Sequence, residues 1–259
     1  MPAPDHYSAQ VRKAVRTFWN TRFRQSKKQG LKTGQRDAGN RTAATGGKQL
    51  DGFSKLFVEL LVDSGIPRKC VFYRGHSGVT LPGFFRPTKR WDVVVVAQGA
   101  LLASIECKSL CGPSFGNNYN NRVEEAIGNA QDIWTAYREG AFQDSPKPFV
   151  AYLLLLEEAD ASVTSVAVQE QHFPVFDEFR HASYARRCEE SLRRLVRERF
   201  YDATCLLLSS KISGRRGEFS EPAKDLSFGR LATRLSITLP ATIAPWTRNS
   251  TAEALRYAF

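Results

Sequence analysis

Two acidic residues and a lysine interrupt an otherwise apolar stretch of the chain, in the order Asp92, Glu106 and Lys108. The residues between them are mostly aliphatic, in the runs Val93 to Val96 and Leu101 to Ile105, which is strand-like sequence. Burying a charge in such sequence costs free energy unless the charge is paired or binds a metal ion. Residues that break the local pattern in this way are the first candidates for function.

The spacing predicts that the two carboxylates face each other across a hairpin. Gln98-Gly99 supplies a turn, and a three-residue loop over 98–100 puts Asp92 directly opposite Glu106. Directly opposed residues have Cβ atoms roughly 4.5–5.5 Å apart, close enough for two carboxylates to bind one divalent cation. A two-residue loop would shift the register by one and turn Asp92 to the other face of the sheet.

The chemistry that these residue types support is metal-assisted phosphoryl transfer. The side-chain period of two puts Lys108 on the face of Glu106 and turns Cys107 away. Hard cations such as Mg²⁺ bind one or two carboxylates together with waters and substrate phosphate. Lys108 could then orient or deprotonate the attacking water, or neutralise the charge on the phosphorane. The alternative is a surface hairpin with an ordinary cross-strand Glu–Lys pair.

The positive charge of the chain lies mainly in its first fifth. The chain has 259 residues and a formal net charge of +11. Residues 1–50 contain eleven Lys and Arg but only two Asp. Such a segment favours a nucleic-acid partner, although a solvated basic face has the same composition. The run Gly46-Gly47-Lys48 lacks the full phosphate-loop spacing, so nucleotide hydrolysis is excluded.

The cysteines and the apolar runs predict a soluble protein of the cytoplasm. The longest apolar run, Phe149 to Leu156, is too short to cross a bilayer, and the N-terminus has no signal-peptide pattern. The cysteines are scattered without a zinc-site spacing, so free thiols are expected. They are Cys70, Cys107, Cys111, Cys188 and Cys205.

Two amphipathic helices are predicted in the N-terminal part, over Ala9 to Phe23 and over Leu50 to Asp63. The stretch between them, Gln25 to Gln49, is rich in Gly, Gln and basic residues and is either flexible or ordered by a ligand. Glu59 lies off the apolar stripe of the second helix. A solvated glutamate is the default interpretation, and a third metal-binding carboxylate is the alternative.

A long helix is predicted after Lys108, ending at Gly140. Asn121 and Glu124 fit a capping box at its start. The same asparagine-rich start could instead read bases in the major groove, because Asn pairs with adenine and Arg with guanine. The candidate DNA contacts are Lys48, Arg86, Lys89, Arg90, Ser114, Asn117, Asn118, Asn120, Asn121 and Arg122.

The remaining elements complete a single domain over residues 1–259 with a basic N-terminal extension. Phe149 to Leu156 is predicted as a buried central strand, Tyr184 to Phe200 as a basic amphipathic helix and Thr204 to Leu208 as another strand. Residues 225–239 fit either a strand or a helix.

The arrangement Asp92, Glu106-Cys107-Lys108 and a following helix resembles the core of the PD-(D/E)XK nucleases, and more specifically the XhoI family of type II restriction endonucleases. Most of the chain up to about residue 200 is similar to that family. The runs that carry the resemblance are Thr45 to Phe53, Leu81 to Val93, Gly112 to Gly128, His172 to Phe176 and Ala182 to Tyr184. Trp91 stands where the superfamily motif has proline.

The resemblance implies an α/β fold with a restriction-endonuclease-like core, a mixed central sheet flanked by helices. It implies a Mg²⁺-dependent homodimer that cuts both DNA strands at a palindrome, CTCGAG in this family, and leaves 5′-phosphate ends. It also implies a cognate DNA methyltransferase. Asp92, Glu106 and the backbone carbonyl of Cys107 would then be metal ligands, with Lys108 assisting the water.

Two other functions fit parts of the pattern. A repair or structure-specific nuclease could use the same core without a palindromic site. A catalytically silent DNA-binding module would explain the basic charge, but it would have no reason to keep Asp92, Glu106 and Lys108 together.

Overall fold

The computed structural model describes residues 7–33, 48–73, 75 and 78–239. Its strands are β1 (Val71–Tyr73), β2 (Thr80–Pro82), β3 (Thr88–Arg90), β4 (Val93–Ala97), β5 (Ala100–Leu110), β6 (Phe149–Glu157) and β7 (Ala203–Ser209). Its helices are α1 (Ser8–Thr33), α2 (Asp51–Asp63), α3 (Phe115–Arg138), α4 (Asp160–Val163), α5 (Tyr184–Arg197) and α6 (228–239).

Five strands form a mixed sheet in the order β1-β4-β5-β6-β7. The pairs β1–β4 and β4–β5 are antiparallel, whereas β5–β6 and β6–β7 are parallel. Strands β2 and β3 form a separate antiparallel ribbon. The mixed central sheet flanked by helices confirms the predicted fold class.

Helices cover both faces of the sheet, which explains the continuous apolar sequence of its central strands. On one face, α1, α2 and α6 pack against residues such as Val95, Ile105 and Cys107. On the other face, α3 and α5 pack against residues such as Val94 and Leu154. All nine residues of β6 are buried, as expected for a strand with a neighbour on each side and a layer on each face.

The turn between β4 and β5 has two residues, so the predicted three-residue loop is wrong. Gln98 and Gly99 have φ angles of 50° and 82°, both positive as in a type I′ turn. Ala97 therefore pairs with Ala100. If this register continued along the hairpin, Asp92 would pair with Ile105, and its side chain would lie on the other face of the sheet from Glu106.

A β-bulge in β5 reverses that shift. Val96 pairs with Leu101 but Val95 pairs with Ala103, so Leu102 is one extra residue in β5. Leu102 and Ala103 are neighbours in sequence, yet both belong to the core on the α1 and α2 side. Beyond the bulge the register continues through Val93 opposite Ile105. One further step places Asp92 opposite Glu106.

Several helix boundaries differ from the prediction. Helix α1 continues to Thr33, so the first part of the stretch predicted as flexible or ligand-ordered is helical, while residues 34–47 lie outside the described residues. Residues 228–239 are helical, which decides between the two interpretations of 225–239. The helices predicted from Leu50 and from Tyr184 are confirmed as α2 and α5.

Helix α3 begins at Phe115, six residues before the predicted cap at Asn121. Phe115 is buried and stacks on Tyr184 of α5 with ring centroids 6.1 Å apart, which favours an earlier start. The amide of Asn118 already donates to the carbonyl of Ser114. The capping box of Asn121 and Glu124 is therefore wrong, because both residues lie inside the helix.

The predicted free thiols are confirmed, since none of the five cysteines forms a disulfide. None of the helices in the described ranges has both the length and the apolar character needed to cross a membrane.

The type I′ turn makes a testable contribution to stability. Gly99 and Gly128 both have open space where a Cβ would lie, but only Gly99 has a positive φ. We expect Gly99→Ala to lower the free energy of unfolding by about 1 kcal/mol, because alanine disfavours that backbone conformation. Gly128→Ala, in the middle of α3, should raise it by about 0.5–1 kcal/mol. Urea denaturation measures both values, and equal effects of the two substitutions would contradict the assigned turn.

Candidate active site

The carboxylates of Asp92 and Glu106 lie at the end of the β4–β5 hairpin, on the face covered by α3. Both residues are buried, with 8% and 3% of their surface exposed. Asp92 precedes β4, and its Oδ2 accepts a hydrogen bond of 2.8 Å from the backbone amide of Cys107. This contact fixes the Asp92 carboxylate beside the Glu106 segment.

Two lysines hold the carboxylate of Glu106. Its Oε1 lies 2.8 Å from Nζ of Lys108, and its Oε2 lies 2.8 Å from Nζ of Lys89. Burial alone would raise the pKa of Glu106, but the two ammonium groups outweigh that effect and lower the pKa below the ordinary value of 4.5. Glu106 is therefore an ionised, paired carboxylate inside the protein.

Lys108 connects Glu106 to helix α3. Its Nζ lies 3.5 Å from Oε2 of Glu125, whose Oε1 lies 2.8 Å from NH2 of Arg122. Burial alone would lower the pKa of Lys108, but Glu106 and Glu125 outweigh it and raise the pKa. In this arrangement Lys108 is an ammonium group that donates to Glu106. Sequence reasoning missed Glu125, because a glutamate on an amphipathic helix gives no signal of its own.

Lys89 reaches the site from the β2–β3 ribbon. Its ammonium lies 4.4 Å from the ring centroid of Trp91, a cation–π distance, and donates to Glu106. Its side chain is only 10% exposed. The sequence predicted a DNA contact for Lys89, but in this structure its charge is directed at the candidate metal ligand.

The donor set fits a hard divalent cation. Asp92 and Glu106 supply two buried, facing carboxylates, which is the usual protein contribution to a Mg²⁺ site. Within the described ranges, no cluster of three or more His, Cys, Asp and Glu side chains is arranged for a metal ion. A backbone carbonyl, waters and a substrate phosphate would therefore have to complete the coordination.

The structure does not bring Glu59 to this pair. Glu59 is exposed on α2, and α2 packs on the opposite face of the sheet, among Val93 and Ile105. Within this chain, Glu59 therefore does not lie beside the two carboxylates. Glu59 is exposed to solvent, as the default interpretation predicted.

Asp132 of α3 anchors the loop of the β2–β3 ribbon. It is 2% exposed, and its Oδ1 accepts from the backbone amides of Phe84 and Phe85 at 2.7 and 2.8 Å. Its Oδ2 accepts from Nε of Arg86 at 2.9 Å, and Arg86 also donates to Asn129. Arg86, which the sequence predicted to contact DNA, is half-exposed. Its bonds to Asp132 and Asn129 also join the ribbon to α3. Sequence reasoning missed Asp132, because its partners are distant in the chain.

Some of the other residues predicted to contact DNA are exposed, and the rest form hydrogen bonds within the protein. Asn118 and Arg122 are partly buried and bond within the protein, Asn118 to the carbonyl of Cys111 and Arg122 to Glu125. The exposed residues are Lys48, Arg90, Ser114, Asn117, Asn120 and Asn121. Ser114 directly precedes α3, and the exposed asparagines lie in its first two turns, before Arg122 and Glu125.

Comparison with known proteins identifies related sequences. The family model described as restriction endonuclease XhoI matches residues 28–221. The type II restriction enzyme BstVI of Geobacillus stearothermophilus is 50% identical over 196 residues, covering 74% of this chain and 87% of that protein.

Two further relatives are also named as type II restriction enzymes. The type II restriction enzyme XhoI of Xanthomonas vasicola is 40% identical over 194 residues, covering 75% of this chain and 77% of that protein. The type II restriction enzyme AbrI of Azospirillum brasilense is 45% identical over 167 residues, covering 64% and 74%. No solved structure matches the chain at a significant level.

The Asp132 anchor predicts a pH-dependent loss of stability. Burial raises the pKa of Asp132, but the amides of Phe84 and Phe85 and the Arg86 guanidinium outweigh it, so the pKa lies below the ordinary 3.8. The anchor is therefore complete above pH 3.8 and is lost as the pH falls through the lower value of the folded state. We expect Asp132→Ala to lower the free energy of unfolding by about 2 kcal/mol at neutral pH, because it leaves three donors unpaired.

The control is Asp144→Ala, at an exposed aspartate, which should change stability by less than about 0.5 kcal/mol. Urea denaturation at about pH 7 and about pH 3 should give a smaller Asp132→Ala effect at the lower pH. An effect that does not shrink in acid would contradict the ionised anchor.

Proposed function

Because the chain belongs to the XhoI restriction endonuclease family, we propose that it is a type II restriction endonuclease that cuts both strands of double-stranded DNA at a palindromic site. The observation that carries the proposal is the buried, facing pair Asp92 and Glu106, with Lys108 bonded to Glu106. Carboxylates that can bind a divalent cation, with an ammonium group beside them, suit metal-assisted phosphodiester hydrolysis. The proposed site is CTCGAG, and the proposed products have 5′-phosphate ends.

Asp92 and Glu106 would hold Mg²⁺, joined by the backbone carbonyl of Cys107. When bound, Mg²⁺ lowers the pKa of a coordinated water and stabilises the charge that develops on a phosphoryl oxygen. The chain's part is to keep the two carboxylates facing each other and to keep Glu106 ionised. The hydrogen bond from the Cys107 amide to Asp92 and the two lysines on Glu106 do this.

Lys108 would act as a cation at the reacting phosphate. Its ammonium is held between Glu106 and Glu125, so it can donate to the attacking water and neutralise negative charge on the phosphate. Arg122 supports this arrangement because it pairs with Glu125. Pre-organised charges of this kind need no rearrangement at the moment of reaction.

The proposed DNA surface surrounds this site. Arg90 and the exposed residues at the start of α3, namely Ser114, Asn117, Asn120 and Asn121, are the proposed contacts that are free to reach a duplex. Lys48 and the other basic residues of the N-terminal segment would add salt-dependent attraction to phosphates. Asn118 and Arg122 would reach DNA only by giving up their present partners.

The oligomeric state and the cellular setting follow from the proposed substrate. A palindrome has two-fold symmetry, so we propose a homodimer in which each protomer cuts one strand. A nuclease with a short recognition site needs a cognate methyltransferase to protect the DNA of its own cell. Both proteins would then act in the cytoplasm of a bacterial or archaeal cell, where that DNA lies.

A plasmid cleavage assay tests the proposal. The wild-type protein, incubated with Mg²⁺ and a plasmid that contains one CTCGAG site, should give one linear product with 5′-phosphate ends at that site. Asp92→Ala and Lys108→Ala should each reduce the cleavage rate by about 10³-fold or more while the circular dichroism spectrum stays unchanged. Glu59→Ala, at an exposed acid on the opposite face, should cut at the wild-type rate.

Other outcomes would point to the alternative functions. Nicking that follows DNA structure rather than sequence would support a repair nuclease, and tight binding without cutting would support a silent DNA-binding module. Cleavage that survives Asp92→Ala would contradict the assigned site even if the palindrome is correct.

Removal of the Lys89 ammonium is expected to change the affinity of the site for a divalent cation. Its ammonium holds Oε2 of Glu106, so a divalent cation and Lys89 compete for the same oxygen. Lys89→Met should therefore strengthen Ca²⁺ binding to the DNA-free protein by about tenfold, or 1.4 kcal/mol, as measured by titration calorimetry.

The matched control is Lys211→Met, which removes the lysine 2.9 Å from the buried Glu157 at the end of β6. That substitution should leave Ca²⁺ binding unchanged, because Glu157 does not belong to the facing pair. Unchanged or weaker binding in Lys89→Met would mean that Lys89 does not compete with the cation.

A further inference from the structure

The loop between β2 and β3 presents two aromatic side chains to solvent. Phe84 and Phe85 are 54% and 67% exposed, and their rings contact each other edge to face with centroids 5.4 Å apart. Neither the proposed metal site nor the proposed phosphate contacts use them. A contiguous apolar patch at one loop tip is a candidate site of contact with another molecule.

Hydrogen bonds hold the backbone of this loop, although its aromatic side chains are exposed. The carboxylate of Asp132 accepts from the backbone amides of both phenylalanines and from the Arg86 side chain. A Cβ on Gly83 would lie 2.5 Å from Oδ2 of Asp132, so only glycine allows this close approach. The chain therefore holds the backbone of the aromatic pair in place against α3.

The loop is also close to the candidate active site. The same ribbon carries Lys89, whose ammonium reaches Glu106. Helix α3 carries both Glu125, which pairs with Lys108, and Asp132, which binds the loop. Asp132 lies two turns, or roughly 10 Å, further along the helix axis than Glu125. A separation of that order, measured along a duplex, would span about three base steps of 3.4 Å each.

We propose that Phe84 and Phe85 form a wedge that inserts into the bound duplex and unstacks one base step, a few steps from the phosphate that is cut. The inference rests on the proposed nuclease function and deepens it by adding a contact to the bases. Apolar side chains that enter the stack between bases are a known way to deform DNA and to favour easily deformed sequences. The flanking Arg86 and Arg90 are exposed cations that suit the phosphates on either side of such a step.

The surroundings of the pair favour DNA over a second copy of the chain. Two phenylalanine side chains expose at most a few hundred Å², whereas a stable interface buries about 800 Å² from each partner. The exposed charged residues of the described ribbon, Arg86 and Arg90, are both basic, and Arg90 would repel the same loop of another copy.

Fluorescence of 2-aminopurine tests the wedge, because this base brightens when it is unstacked. The probes are duplexes centred on CTCGAG, each with one 2-aminopurine, either at the adenine of the site or at an adenine in one flank. Ca²⁺ replaces Mg²⁺ so that the DNA is bound without being cut. With wild-type protein, one position should brighten about fivefold or more. The variant Phe84→Ala/Phe85→Ala should bring that signal back to within about 1.5-fold of the free duplex.

The matched control is Phe173→Ala/Phe176→Ala, which removes a second exposed aromatic pair, 84% and 77% exposed, from another loop. This variant should retain the full fluorescence increase. Loss of the increase in both variants would overturn the wedge, because the effect would then follow the removal of any exposed aromatic pair.

The remaining outcomes separate the wedge from the proposed function. If wild-type protein binds the duplex by anisotropy and cuts CTCGAG in Mg²⁺ but no position brightens, the wedge is overturned and the nuclease function stands. If wild-type protein neither binds nor cuts, the proposed function fails and the wedge fails with it. If Phe84→Ala/Phe85→Ala converts a dimer to a monomer in sedimentation velocity, the pair is a protein interface and not a wedge.

Discussion

The position of Asp92 depends on one extra residue in strand β5. Side chains alternate between the faces of a strand, so a register shift of one residue would move Asp92 away from Glu106. The two-residue turn at Gln98-Gly99 produces that shift, and the bulge at Leu102 reverses it. Leu102 is fully buried in the core on the α1 and α2 side, so packing of the apolar core determines the geometry of the charged pair.

The second requirement is charge balance in a buried site. Glu106 is 3% exposed, and an unpaired carboxylate there would cost several kcal/mol. Lys89 and Lys108 neutralise it from two different elements. Because Lys89 belongs to the β2–β3 ribbon and Lys108 also lies 3.5 Å from Glu125 of α3, the same contacts that balance the charge also join the sheet, the ribbon and the helix. Structure and the proposed chemistry therefore depend on the same few ion pairs.

The parts of the molecule that were predictable are those with a local sequence signal. Continuous apolar runs identified β6 and β7, and the acids within strand-like sequence identified Asp92 and Glu106. The bulge was not predictable from the sequence. Residues 101–103 are all apolar, so no alternation of polar and apolar side chains shows which of them share a face of the sheet. The contacts of Lys89, Glu125 and Asp132 depend on tertiary packing between distant segments, and ordinary charged residues give no sign of it. The early start of α3 follows from the burial of Phe115 against α5, which is also a tertiary effect.

The central claim is that the facing carboxylates of Asp92 and Glu106 hold the divalent cation of this nuclease. Iron-directed cleavage of the protein tests it most directly. Fe²⁺ bound in place of Mg²⁺, with ascorbate and peroxide, generates hydroxyl radicals that cut the nearest polypeptide. We expect protein fragments that end near residue 92 and near residues 106–108, and their loss when excess Mg²⁺ is added. Fragments that end elsewhere, such as near Glu59, or a pattern unaffected by Mg²⁺, would contradict the claim.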